Sequence, residues 1–102
     1  MVEVFQVQIS DIGFESVESI EIWRKMMFGA KNWNEEYWNS YSKVAEVDTE
    51  ELNEVFDVMN GMGDTSIVKR LVHKTRSASA GDIFVRNGKR FIVDTFGFAE
   101  ID

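Results

Sequence analysis

The sequence predicts an α+β fold: a small mixed or antiparallel sheet, two or three helices packed on one face, and a C-terminal Asn-Gly β-hairpin. Three observations carry this. Apolar residues alternate at period two near residues 2–9 and 41–47, and recur at helical spacing in 15–29 and 48–63. The run "DIFVR-NG-KRFIV" (82–93) sets an Asn-Gly turn between two β-branched, aromatic segments, the strongest short-range hairpin signal.

"VEVFQVQI" (2–9) reads as an interior strand. Phe5, Val7 and Ile9 lie on one side of the pleat, and Val2 and Val4 make the other side apolar too. "SDIG" ends it with turn residues. Residues 15–29 read as an amphipathic helix with Ser16 as N-cap and Val17, Ile20, Trp23 and Met27 as the buried stripe. Glu15, Glu18 and Glu21 stand near its start and Arg24 and Lys25 near its end, the order that complements the helix dipole. Gly29 is a natural stop.

Residues 30–41 combine turn-favouring asparagines with Trp33, Tyr37, Trp38 and Tyr41, and read as a loop with one short helical turn. A second strand follows over 41–47. In 48–63, Asp48 and Glu51 resemble a capping box, Leu52, Val55, Phe56 and Met59 form a buried stripe, and Asn-Gly ends the helix. Residues 64–76 fit either a short helix or an irregular strand. In the hairpin Arg86 pairs with Lys89, Phe84 with Phe91 and Asp82 with Val93, and "GFAEI" continues as a terminal strand.

At 102 residues the chain is expected to form a single domain, 1–102, with one core. The apolar share of 44% and aromatic share of 13% are too rich for disorder. There is no cysteine, hence no disulfide or thiolate metal site, and no proline. No signal-peptide pattern opens the chain and no apolar run is long enough to span a bilayer, so the expected location is cytoplasmic, without membrane contact. The net charge of −7 is unevenly spread: 1–68 holds 4 Lys/Arg against 14 Asp/Glu, 69–90 holds 7 against 1, and 91–102 adds 3 acids.

The chemistry-bearing residues are few. His73 is the sole histidine, so HExxH and Cys/His metal sets are absent, and no catalytic residue, metal or cofactor is expected. "SASAGD" (77–82) lacks the glycines before a helix that a phosphate loop needs, and it is no nucleophile elbow. It reads instead as a structural entry to the hairpin: serines bonded to nearby backbone, Gly81 at positive φ, Asp82 capping the turn. The acidic rows Glu15/Glu18/Glu21 and Glu50/Glu54/Asp57 read as solvated helix faces, with nucleic-acid mimicry as the sharper alternative. The basic run 69–90 suits phosphate or an acidic partner, yet no nucleic-acid-binding motif accompanies it. Trp33, Tyr37 and Trp38 lie among asparagines, where full burial is hard to arrange, and are the candidate partner-binding residues.

The stretch "SASAGDIFVRNGKRFIVDTFGFAEI" (77–101) resembles the signature of the YodL-like domain, a family of small proteins and modules in bacteria, phages and mobile elements. Ser77, Ser79, Gly81, Asp82, Gly97 and Phe98 are the matching positions, and "VFQVQI" and "YSKVAEVDTEELNEVFDVMN" are similar to the family's upstream elements. The resemblance implies a fold and a phage or mobile-element setting, with no catalytic residue to carry over. The expectation is thus a non-enzymatic interaction or regulatory protein that binds a host or phage protein. The alternatives are an acidic nucleic-acid mimic of the anti-restriction type, or a weak nucleic-acid binder through 69–90.

Overall fold

The computed structural model describes residues 1–7, 9–10, 13–14, 17–72 and 75–102, with the side chains of 9, 10, 13, 14 and 17 outside that description. Strand β1 (Val2–Val7) lies inside the main sheet, as its two apolar faces require. It pairs antiparallel with β4 (Tyr41–Val47) on one flank and β6 (Ile83–Arg86) on the other. A separate two-stranded ladder, β2 (Ile9–Ser10) with β3 (Gly13–Phe14), follows β1. Beyond β4 lies β5 (Val68–Arg70); beyond β6 lie β7 (Lys89–Val93) and β8 (Phe98–Glu100). The sheet order is β5-β4-β1-β6-β7-β8 with every pair antiparallel.

The helices do not share one face of this sheet, contrary to the expectation. Val2, Val4, Phe84, Phe91 and Val93 pack with helix α2 (Leu52–Met59) through Leu52, Val55, Val58 and Met59. Their strand neighbours Phe5, Val7, Ile83, Val85 and Ile92 pack with helix α1 (Val17–Met26) and the aromatic segment. Successive strand residues point to opposite sides, so the two clusters are the two faces of one sheet. The signal was Val2 and Val4: a strand apolar on both sides needs a cover on each.

A β-bulge in β4 makes this division possible. Val4 pairs with Ala45 and Phe5 with Lys43, which leaves Val44 as the extra residue. Tyr41 therefore faces the α1 side while Ala45 and Val47 face α2. Without the inserted residue, all three odd-numbered side chains would share one face.

Helix α1 buries Ser19, Ile22 and Met26, a stripe turned about one residue from the expected Val17, Ile20, Trp23 and Met27. Trp23 is half-buried at its margin and Met27 is 46% exposed. The reason lies at the C-terminal end of α1, where Met26 rests directly on Gly81. Ser16 and Glu15 lie outside the described residues. Helix α2 buries Val58 as well as the expected residues, with Phe56 half-buried. Asp48 is no cap: the N-cap of α2 is Glu51, which makes no side-chain cap bond, and the Thr49 hydroxyl accepts from Glu51 N at 3.2 Å. Asn60 closes the helix, its Nδ2 donating to Phe56 O at 2.9 Å.

Of residues 64–76, those described resolve toward the strand alternative, and 73–74 lie outside the described residues. A 3₁₀ turn (Thr65–Ile67), capped by Asp64 Oδ1, leads into β5. Residues 30–41 hold two 3₁₀ turns (Ala30–Asn32 and Glu35–Ser40), the second capped by Asn34 Oδ1 accepting from Glu36 N at 3.0 Å. The hairpin pairs Arg86 with Lys89 and Phe84 with Phe91, around Asn87 at φ 52° and Gly88 at φ 77°. Two positive φ angles define the type I′ turn whose twist matches the flanking strands.

Gly81 has φ +94°, and a Cβ there would lie 2.7 Å from Met26 Cβ and 2.8 Å from Met26 O. Gly81→Ala should lower stability by roughly 2–4 kcal/mol, from backbone strain plus overpacking. Gly88→Ala, with open space around it, should cost only about 1–2 kcal/mol from strain. Urea midpoints of the two variants check the ordering, and equal losses would contradict the close α1 contact.

Candidate functional site

The "SASAGD" segment closes a buried polar junction. Asp82 is fully enclosed, and its Oδ2 accepts from Gln6 Nε2 and from Ser79 N, both at 3.1 Å. Gln6, buried mid-strand in β1, also donates from Nε2 to Arg76 O at 3.1 Å and accepts from Arg76 N at 3.3 Å. The Arg76 guanidinium donates to Val7 O at 3.0 Å, and the Tyr41 hydroxyl donates to Gly81 O at 2.6 Å. A glutamine in a buried strand position is explained only by such partners. Burial pushes the Asp82 carboxyl up to about 6, opposed by Arg76 and by the hydrogen bonds from Gln6 and Ser79. Burial, and then the charge of Asp82, raises the Tyr41 hydroxyl above its ordinary value.

Ser77 is exposed, Ala78 buried and Ser79 half-buried. His73 lies outside the described residues. Among the described residues no group of three His, Asp or Glu side chains is placed to hold a metal ion. No helix among them is long and apolar enough to cross a membrane.

Trp33, Tyr37 and Trp38 are brought together, half-buried, on the α1 side of the sheet. Trp38 meets Phe5 at 4.8 Å between ring centroids and stacks on Tyr41 at 5.9 Å. Trp33 stands edge-on to Tyr37 at 6.2 Å and to Tyr41 at 5.8 Å. Arg90 of β7 fastens the segment. Its guanidinium lies 5.0 Å from the Trp38 ring centroid and 6.0 Å from that of Trp33. Nη1 and Nη2 reach Glu35 Oε1 and Oε2 at 2.7 and 3.1 Å, and Nη2 reaches Asp102 Oδ1 at 2.7 Å. The hydrogen bonds that Arg90 donates to Asp102 and Glu35 raise the arginine's proton affinity further and hold both carboxyls below their ordinary values. The asparagine-rich segment is therefore knit to the sheet by one basic residue 55 positions from Glu35, its acidic partner in that segment.

Among the described residues the most exposed large apolar side chains lie elsewhere, where the β7–β8 turn meets the loop after α1. Phe96 is 95% exposed and Phe28 66%. Asp94 Oδ1 accepts from Ala30 N at 3.3 Å and sits against Gly29, which sets these two aromatic-bearing turns side by side. Next to Phe96 opens a groove of about 300 Å³ between α2 and the turn, with Phe56, Val93 and Phe98 in its wall and Asn53 at its rim. Sequence reasoning passed over Phe96. The available signal was an aromatic at the tip of a two-residue turn, "TF", directly before Gly97 at φ 71°.

Gly97 and Phe98, the last two motif positions, thus belong to this turn and groove, while Gly81 and Asp82 belong to the buried junction. Charges of both signs are interleaved on the sheet. Lys43 Nζ bridges Glu3 and Glu46, which face each other across β1 and β4, at 2.6 Å each. Lys89 and Arg90 pair with Glu100, Glu35 and Asp102. In comparisons with known proteins, the chain matches no family model, no curated protein and no solved structure.

Two measurements check this geometry. The folded-state value of Asp82, about 6, lies above its ordinary 3.8, so its contribution to stability is complete below about pH 4 and is lost as pH rises through 6. The stability of the natural chain relative to Asp82→Asn should therefore fall by on the order of 3 kcal/mol between pH 4 and 7. A difference independent of pH would mean that the carboxylate is not held in a dry site. For Arg90, replacement by Lys keeps the charge but loses the planar fork and the ring contacts. Arg90→Lys should lower stability by about 1–2 kcal/mol and broaden the near-ultraviolet signal of the tryptophans. An unchanged spectrum and urea midpoint would show that the segment is held without it.

Proposed function

We propose that this chain is a small non-enzymatic interaction protein, of phage or mobile-element origin by its resemblance to the YodL-like domain, that acts by binding a host or phage protein. The observation that carries the reading is the contrast between its polar and apolar groups. The one motif with the residue types of a reactive loop spends its carboxylate, amides and glycine on internal packing. Two phenylalanines on neighbouring turns, by contrast, are left in solvent, and one of them, Phe96, stands beside an apolar groove. Exposed large aromatics flanked by polar rims mark interaction surfaces more often than catalytic ones.

Trp33, Tyr37 and Trp38 offer a second, flatter contact region, half-exposed and made rigid by Arg90. Rigid aromatics suit a binding surface because little side-chain entropy remains to be lost. The acidic-mimic reading draws less support, since Lys43, Lys89 and Arg90 interrupt the acidic surface through their ion pairs. Binding of nucleic acid through 69–90 is weakened by the same pairing, because Lys89 and Arg90 are engaged with the chain's own carboxylates.

Affinity capture with crosslinking from bacterial cells in which the tagged chain is expressed tests the proposal. The natural chain should recover a stoichiometric protein partner, and Phe28→Ser with Phe96→Ser should reduce recovery at least tenfold with the urea midpoint unchanged. Recovery of nucleic acid in place of protein, or of nothing stoichiometric, would overturn it.

A further inference from the structure

We propose that the outer edge of β8 and the groove beside it receive an extended segment of a partner protein, alternating basic and apolar residues, as a seventh strand of the sheet. The inference rests on the interaction reading above and specifies its site and chemistry.

The backbone supplies the first argument. Ile101 N donates to Arg90 O at 3.0 Å and Asp94 N to Gly97 O at 2.9 Å, so residues 97, 99 and 101 turn their polar groups toward β7. By the alternation of an antiparallel ladder, the N–H and C=O groups of Phe98 and Glu100 point the other way. Among the described residues β8 ends the sheet on that side, so these groups form an open edge. The two edges are treated differently. β5 carries exposed Lys69 and Arg70, the usual device against unwanted strand pairing, whereas β8 carries neither Lys nor Arg.

Side-chain geometry supplies the second. Phe98 lies on the α2 face, its ring 5.7 Å from that of Phe84. A strand added beside β8 would send alternate side chains toward that face, over the groove walled by Phe56, Val93 and Phe98. At about 300 Å³ the groove is at the lower limit for small-molecule pockets, and its size suits one large apolar anchor. Phe96 stands at its mouth, placed to cover that anchor.

Charge decides the occupant. Asp94 lines the groove, helix α2 beside it carries exposed Glu54 and Asp57 and no Lys or Arg, and Glu100 stands on the edge itself, 3.9 Å from Lys89 Nζ. A second copy of this chain would bring the same acids into apposition and be repelled. A segment with Lys or Arg between its apolar residues would be attracted, with main-chain hydrogen bonds giving affinity and the groove giving register.

The test is a titration of isotope-labelled protein, followed by amide resonances, with three synthetic nine-residue peptides. One alternates Lys with Leu, one alternates Asp with Leu, and one has the Lys/Leu composition in blocks. The alternating Lys peptide should shift the amides of Asn53, Phe56 and 96–100 and slow exchange at Phe98 and Glu100. The other two should bind at least tenfold more weakly. Glu100→Pro removes an outward N–H without touching the β7 ladder, and should abolish binding while leaving the remaining spectrum in place. Equal binding of the blocked peptide, shifts spread over acidic residues without protection at β8, or full binding by Glu100→Pro would each overturn the proposal. A partner captured equally by the natural chain and by Glu100→Pro overturns this site alone and leaves the interaction reading standing. Absence of both a partner and peptide binding removes both.

Discussion

The hydrogen bond between Gln6 and Asp82 is the point on which the rest of the structure depends. It joins the first strand to the loop that brings the chain back to the sheet's other half, 76 residues later. The same loop carries Gly81, whose carbonyl receives the Tyr41 hydroxyl and whose missing side chain admits Met26. One junction therefore sets β1, β4, β6 and α1 relative to one another. A buried carboxylate needs hydrogen-bond donors around it, and the two at 3.1 Å on Oδ2, with Arg76 nearby, supply them here. Such a group specifies geometry more than it adds stability, since any shift of the loop leaves a charge without partners.

The bulge at Val44 is the second constraint, and it works with the first. It lets β4 serve both faces: Tyr41 anchors the aromatic segment and reaches Gly81, while Ala45 and Val47 complete the layer under α2. The aromatic segment in turn needs Arg90, which holds Glu35 and Asp102 while lying against Trp38. With a side chain only 16% exposed, Arg90 works where solvent screens it less than a typical surface ion pair. The interior is thus stitched by polar residues that come from every part of the chain. Among the described residues, the two most exposed large apolar side chains, Phe28 and Phe96, sit on neighbouring turns.

Features encoded locally were legible in the sequence, and features that depend on distant residues were not. The Asn-Gly hairpin was readable to the residue because its register follows from a two-residue turn. The α+β class and the interior place of β1 followed from periodicity alone. The face of α1 was misread because a small polar residue, Ser19, occupies a buried position and an apolar one, Met27, does not. Only the landing of Met26 on Gly81 explains that rotation. The split of helices between two faces was implicit in Val2 and Val4, but assigning covers to faces required the bulge. Trp33, Tyr37 and Trp38 drew notice by residue type, and their half-burial traces to an arginine that no local pattern connects to them. Phe96 drew none, although it is the side chain with the least structural reason to be apolar.

The central place of β1 also matters while the chain is being made. Its β4 flank can be covered once residues 41–47 have left the ribosome, but the other flank must wait for residues 83–86. At ~5–20 residues per second that interval, roughly 40 residues, lasts several seconds. Throughout it an apolar strand edge stands open to other nascent chains. Once residues 83–93 emerge, their tight turn pairs them within about microseconds, so the missing flank arrives as a preformed ribbon. Synthesis of that interval thus sets how long the growing chain remains exposed to misassembly, and closing the Asn-Gly turn adds almost nothing to it.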